Sequence, residues 1–247
     1  MIVFISPAKG FKEDIKIKAE TTPILINKSK KIINELKNLT QENIKKLMKI
    51  NDNIASLNLN RFSNFKFDEF GLPAIFAYNG IQYKNINATS FTNEDLLFAK
   101  KHIRILSALY GVLNITDSIY PYRLDFISKI SIENSKNLYE FWSSDIYDNI
   151  SEASDNTIIN LASDEYSKSV KKYLNNERFI SCIFKVDKNG KLKVESTASK
   201  VARGKMLNYI VKNKINSPEL LKNFCDCGYE YKKDLSTDNE FVFVCKK

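Results

Sequence analysis

Residues 158–170 read IINLASDEYSKSV. An apolar string stops at Ser163, and Asp164, Glu165, Tyr166 and Lys168 follow at once. A short, near-continuous apolar run is the mark of a strand buried on both faces, as in a parallel sheet. The polar run after it predicts a helix over 164–174. Ser163 is the right residue type to cap that helix, and Asp164 and Glu165 suit its positive end. A carboxylate pair, a phenol and an amine collected at a strand's exit also form a plausible wall of a cleft.

Two other stretches repeat the pattern. Residues 1–6 read MIVFIS and residues 104–107 read RILS. In parallel sheets the ligand crevice lies beyond the carboxyl ends of the strands. If these three strands run side by side, Ser6, Ser107 and Ser163 end at one edge. Lys9, Tyr110 and the Asp164, Glu165, Tyr166, Lys168 group then converge on one mouth.

The rest of the chain supplies the covering layers. Ile32, Ile33, Leu36, Leu39, Ile44, Leu47, Met48, Ile54 and Leu57 have helical spacing, which predicts two or three short helices over 28–65. Residues 74–78 of AIFAYNG predict a strand. Thr92, with Glu94 and Asp95 behind it, starts a helix that runs through 101. Residues 138–150 read as one helix carrying the only tryptophan, Trp142. Asn189-Gly190 is a type I′ hairpin signal between strands over 179–186 and 191–196. Residues 199–212 predict a further helix, and 229–232 with 240–245 a closing hairpin or edge strands. With no repeat and no linker, the expectation is a single domain over 1–247. Its class is α/β (mixed α+β), with short, mostly parallel central strands, flanking helices and a helical insertion at about 28–66.

Composition narrows the function. The chain has 247 residues, is 43% hydrophobic and 12% aromatic, and carries a formal charge of +9. That is ample material for a core, and the positive balance favours a polyanionic partner. No apolar run approaches the length of a membrane span, and MIVFISPAK lacks the basic start of a secretory signal. The expected location is therefore cytoplasmic, with no membrane partner. Of 38 basic residues only five are arginines: Arg61, Arg104, Arg123, Arg178 and Arg203. Where lysine serves for plain charge, arginine is expected where a planar fork must grip phosphate or carboxylate. Cys182, Cys225, Cys227 and Cys245 are too few for a disulfide framework and lack zinc spacing. They read as buried free thiols, and neither a metal nor a cofactor is expected.

Two dense motifs accompany the serine exits. RILSALYGVL (104–113) and YPYRLD (120–125) bring Arg104, Tyr110, Tyr122 and Arg123 together, groups that suit bases and phosphates. STASKVARGKM (196–206) places Lys200, Arg203 and Lys205 at a helix start, where cations oppose the dipole but serve an anion. Gly204 in that helix signals close packing or a ligand's approach. A hydrolase triad is disfavoured: His102, the only histidine, lies on the order of 16 Å from Ser107 along an extended strand. Adjacent Asp164 and Glu165 point apart on a helix and make a poor acid/base pair.

Together these residues resemble the YaaA family of bacterial peroxide-stress proteins over nearly the whole chain. The resemblance rests on Ser6-Pro7-Ala8-Lys9, on Arg104 with LSALYGVL, and on Pro121-Tyr122-Arg123-Leu124. It continues through Phe141-Trp142, through Asn160 and the Ser163-Asp164-Glu165-Tyr166 run with Lys168, and through Lys200 with Ala202-Arg203-Gly204. It implies a cytoplasmic, DNA-binding protein that limits iron- and peroxide-driven damage, with a basic cleft and a helix-hairpin-helix element. The local candidate for that element is 44–65, with a hairpin at 56–59 containing Asn58 and a second helix carrying Arg61. The hairpin departs from the family pattern in lacking glycine. Two readings follow. In one, Lys9, Arg104, Arg123, Lys168, Lys200 and Arg203 grip DNA phosphates while Tyr110 and Tyr122 stack on an exposed base. In the other, the same cleft is an enzyme site for a nucleotide, a damaged base or another phosphorylated small molecule, with Glu165, Tyr166, Lys168 and Ser6 as candidate catalytic groups. Iron sequestration is disfavoured by the lack of a His/Glu ligand set.

Overall fold

The computed structural model describes residues 1–67 and 69–246. Its centre is one eight-stranded, mostly parallel sheet. The strands are β1 (Ile2–Ile5), β2 (Ile103–Ser107), β3 (Gly111–Leu113), β4 (Thr157–Leu161), β5 (Arg178–Lys188), β6 (Lys191–Lys193), β7 (Tyr229–Tyr231) and β8 (Glu240–Lys246). Their order is β7-β8-β5-β4-β1-β2-β3, with β6 hairpinned onto β5. β1 is parallel to both β2 and β4, in register Ile5 with Ile105 and with Leu161. The serines that end these three strands therefore do share one edge. β4–β5 and β5–β8 are also parallel, whereas β3, β6 and β7 run antiparallel to their partners.

Every residue of β1 is buried, as are Ile158 to Leu161 of β4. A side chain such as Phe4 or Ile5, fully removed from water, contributes roughly 2 kcal/mol each over exposure. The covering helices are α1 (Ile26–Lys37), α2 (Gln41–Met48), α3 (Asp52–Ser63), α4 (Ile81–Ile86), α5 (Asn93–His102), α6 (Asp145–Ala153), α7 (Asp164–Lys171) and α8 (Ser196–Lys212). α8 packs on α4 and α5, and α6 packs on α7. The step from β1 to β2 and the step from β4 to β5 go opposite ways along the sheet. Right-handed crossovers then place α5 and α7 on opposite faces. The topological switch point, where an open sheet leaves its crevice, falls between the ends of β1 and β4.

Two glycines fix the layers. Gly204 lets α8 touch α4: a Cβ there would lie 2.3 Å from the Gln82 carbonyl oxygen. Gly111 has φ +73, and a Cβ would come within 2.8 Å of the Trp142 ring. That indole donates to the Ala108 carbonyl at 2.9 Å.

Four expectations need correction. Residues 74–77 do not form a strand: Ala74–Ala77 make a helical turn, with the Ala74 and Ile75 amides bonded to the Asp117 and Ile115 carbonyls, and only Tyr78, in the short Tyr78–Asn79 strand, is extended as expected. The helix expected over 138–150 breaks at Ser143, in the left-handed half of φ space, giving Leu138–Trp142 and α6. α8 starts at Ser196, so Lys200, Arg203 and Lys205 sit one turn or more inside it and not at its dipolar end. The hairpin expected at 56–59 is the interior of α3. No glycine or proline interrupts that stretch, and Ala55, Asn58 and Phe62 form its buried face. The chain turns earlier, at 49–51, where Lys49 is left-handed and Asn51 caps α3 by accepting from the Ile54 amide at 3.0 Å.

Candidate anion site at the strand ends

Beyond β1 and β4 the two exit serines face each other. The Ser163 amide donates to Ser6 Oγ at 2.9 Å, and the two hydroxyls lie 3.4 Å apart. Ser163 has the extended backbone of an N-cap, yet no helix amide uses its hydroxyl. The expected side-chain cap is thus replaced by a contact across the switch point. Tyr83 of α4 donates to the Ser6 carbonyl at 3.0 Å.

Under this exit lies a floor of phenols. The Tyr122 hydroxyl sits 2.7 Å from Ser107 Oγ and 2.8 Å from the Tyr78 hydroxyl. The Tyr110 ring packs edge-on to Tyr122, and its hydroxyl accepts from the Tyr120 amide at 2.9 Å. Burial pushes the hydroxyls of Tyr78, Tyr83, Tyr110 and Tyr166 well up, and that of Tyr122 to about 12. These phenols stay neutral. Tyr110 and Tyr122 are fully packed, so they have no face to offer a base; the stacking role expected of them is corrected.

The wall is the start of α7 with the 121–127 loop. Glu165 Oε1 accepts from the Phe126 amide at 2.9 Å, and Tyr139 donates to the Glu165 carbonyl at 2.8 Å. Burial raises the Glu165 pKa, with Asp125 adding to the rise; the Phe126 and Ile127 amides and Lys9 oppose it. Lys9 reaches Asp125 at 3.0 Å. The Arg123 Nε lies 3.9 Å from the same carboxylate and is buried with no hydrogen-bond partner.

Arg203 enters from α8. Its Nε is also buried with no partner, and no hydrogen bond or ion pair with a described residue involves it. Burial lowers its pKa, opposed by the Asp164 carboxylate and the Cys182 thiol. Burial in turn lifts Cys182 to about 12. A buried guanidinium N–H without an acceptor is costly unless something satisfies it. Arg123 and Arg203 are each half-buried, with a buried Nε that makes no hydrogen bond.

The structure therefore gathers Ser6, Lys9, Arg123, Glu165, Tyr166 and Arg203 around the strand ends, linked through Asp125 and Asp164. Lys168 and Lys200 are exposed, one helical turn from Asp164 and Arg203. It does not bring in Arg104, Asn58 or Arg61. Arg104 sits at the other end of β2, where its guanidinium donates to the Lys100 and Ile103 carbonyls at 3.0 and 2.9 Å and to Asn114 Oδ1 at 3.4 Å. Asn58 is buried and donates to the Ile54 carbonyl at 2.8 Å. Arg61 pairs with Glu13 at 2.6 Å. Sequence reasoning missed Asp125 as the partner that gathers Lys9 and Arg123; a carboxylate two residues after an arginine was its only signal. Tyr83 gave none.

Cys182 and Cys245 are buried, but Cys225 and Cys227 are exposed, which corrects the reading of all four as buried. Among the described residues no His, Cys, Asp and Glu group of metal-binding size occurs. No described helix is long and apolar enough to cross a membrane.

Comparison with known proteins bears on what this site serves. A family model described as "Peroxide stress protein YaaA" matches residues 1–235. A UPF0246 protein of Clostridioides difficile (strain 630) is 48% identical over 246 residues, covering 99% of each chain. One from Ligilactobacillus salivarius is 40% identical over 246 residues, with 99% of each chain covered. One from Saccharophagus degradans is 40% identical over the full length of both.

Proposed function

The chain belongs to the YaaA family of peroxide stress proteins, and from that premise we propose that it binds DNA phosphates at the strand-end crevice, in the cytoplasm, with little sequence preference. The observation that carries this reading is the pair of half-buried arginines, Arg123 and Arg203, whose buried Nε atoms make no hydrogen bond. Phosphate oxygens are the acceptors that a guanidinium fork fits best. Lys9, mostly exposed beside Asp125, and the overall charge of +9 add long-range attraction. Cations bound along DNA release its counterions. Ferrous ions are among those displaced, and peroxide reduced by iron away from the duplex does less harm to it. That links phosphate binding to peroxide protection.

Fluorescence anisotropy with a labelled duplex tests this reading. Affinity should fall steeply with salt, by about 0.9 in log–log slope for each phosphate neutralised. The double variant Arg123→Ala/Arg203→Ala should bind about tenfold to a hundredfold more weakly and lose close to two units of slope. Salt-independent binding, or a double variant that binds like the parent, would end it.

A second reading is favoured by Glu165. A phosphate clamp gains nothing from a half-buried carboxyl whose pKa is raised, whereas an acid/base catalyst acting on a nucleotide or other phosphorylated small molecule needs one. Glu165→Gln separates the two. Tighter DNA binding supports the clamp; lost turnover with binding retained supports the enzyme.

A further inference from the structure

The Asn189-Gly190 hairpin rises past the strand ends that form the crevice. β4 stops at Leu161, one residue after the Asn160–Ser181 pair. β5 continues from Cys182 to Lys188, about 20 Å more at roughly 3.3 Å per residue. One edge of this extension is filled by β8, which pairs with it up to Asp187. β6 pairs with Val186–Lys188 and so takes the other edge, in the column that β4 has left. The two-stranded ribbon therefore overhangs the end of β4, where the crevice opens.

Its two faces differ. Lys191 pairs with Lys188, and Lys193 with Val186, so the three lysines share the face of Val186. Asp187 and Leu192 pair on the opposite face. Strand alternation puts Cys182 on the lysine face too, and Arg203 and the Cys182 thiol act on each other's protonation. Arg203 thus lies on the same side of the sheet as the three lysines. From the level of Cys182 to that of Lys193 is about 13 Å, close to the rise of roughly four nucleotides along one DNA strand.

The lysine face also works against the hairpin that carries it. Lys188 and Lys191 stand directly opposite, where like charges are destabilising. Glu195 answers Lys188 at 2.5 Å. Lys191 and Lys193 are exposed and in no ion pair with a described residue. A local conflict of this kind is expected where a ligand supplies the counter-charge.

We infer that the β5–β6 ribbon is an arm that lies along DNA, its lysine face against the phosphates of the strand that Arg203 holds. The arm rests on the DNA reading of the crevice and adds a second contact beyond the strand ends.

Fluorescence anisotropy of the full chain with a labelled duplex tests it. Lys191→Ala/Lys193→Ala should bind about fivefold to tenfold more weakly than the parent and lose about two units of log–log salt slope. It should melt no lower than the parent, because it relieves the like-charge pair. Lys18→Ala/Lys101→Ala removes the same charge at the other end of the sheet. Lys101 is in the last turn of α5, just before β2, and Lys18 is near Glu20, which pairs with Lys100 of that turn. Both are exposed. This control should bind within about twofold of the parent, and so should Leu192→Ala, on the ribbon's other face. A ribbon variant that melts lower than the parent, or binds like the Lys18→Ala/Lys101→Ala control, overturns the arm and leaves the crevice reading standing. So does a Leu192→Ala variant as weak as the lysine variant. A parent with no salt-dependent binding overturns the crevice reading and the arm together.

Discussion

Arg104 and Arg203 are two guanidiniums whose pKa burial lowers, held at opposite ends of the same sheet. Both stood in dense motifs, and charge and burial do not tell them apart. Their partners do. Arg104 spends its donors on two carbonyls and an asparagine oxygen, with Asp117 nearby. Arg203 spends none on a described residue, and only Asp164 and the Cys182 thiol oppose the effect of its burial. The first arginine is part of the fold's hydrogen-bond accounting. The second is carried by the fold at a cost, and such a cost marks a place where a ligand belongs.

The largest effect that separates them is on stability. Arg104→Ala strands the Lys100 and Ile103 carbonyls and leaves buried Asp117 without its cation. Urea unfolding should show a loss of about 2–4 kcal/mol. Arg203→Ala removes no hydrogen bond, so the change should stay within about 1 kcal/mol. Equal losses for the two variants would collapse the distinction.

A smaller effect sharpens the comparison through pH. Each end has a carboxyl raised by burial, Asp117 near Arg104 and Glu165 in the crevice. Asp117 is answered by Thr21, by the Asn114 amide and by Arg104. Glu165 is answered by two amides and Lys9, but Asp125 works against it. A folded-state pKa raised above the unfolded one stabilises the protein while the group is protonated. That contribution is present below the ordinary carboxylate range and is lost as pH rises through the raised folded value. Glu165→Gln cannot ionise, so its stability relative to the parent should rise between pH 4 and pH 7. Its DNA affinity should exceed the parent's by a few-fold at pH 7 and match it at pH 4, where the parent's carboxyl is neutral too. Anisotropy at both pH values checks this; a constant ratio would remove Glu165 from the electrostatics of the crevice.

The same contrast explains what the sequence disclosed. Strand runs ending at Ser6, Ser107 and Ser163 announced a parallel sheet, and the Asn189-Gly190 hairpin is found as expected, both residues at positive φ. These are local signals: apolar period and turn chemistry. Gly204 was legible as a close approach because only a missing Cβ permits it. The sorting of arginines was not legible, since a partner such as Asn114 or Asp125 is chosen by the fold and not by spacing alone. The hairpin placed at 56–59 failed because helix propagation across 52–63 meets no breaker, while the actual turn at 49–51 carries lysine and asparagine in place of glycine.

The smallest expected effect concerns two helix starts that look alike in sequence. Thr92 caps α5 in full: its hydroxyl accepts from the Asp95 amide at 3.2 Å, and Asp95 accepts from the Thr92 amide at 2.9 Å. Asp95 is also gripped by Lys212 at 2.7 Å and by Lys214. Thr92→Ala should therefore cost about 1 kcal/mol. Ser163 occupies the corresponding place before α7, but its hydroxyl meets only Ser6 Oγ, at 3.4 Å. The bond that matters there runs from the Ser163 backbone amide to Ser6 Oγ, and alanine at 163 keeps it. Ser163→Ala should shift stability by no more than about 0.5 kcal/mol. Ser6→Ala takes away the acceptor and should cost about 1–2 kcal/mol, because it leaves that amide unpaired at the switch point. If Ser163→Ala proves as damaging as Thr92→Ala, the serine is an ordinary cap and the link between β1 and β4 has to be held by something else.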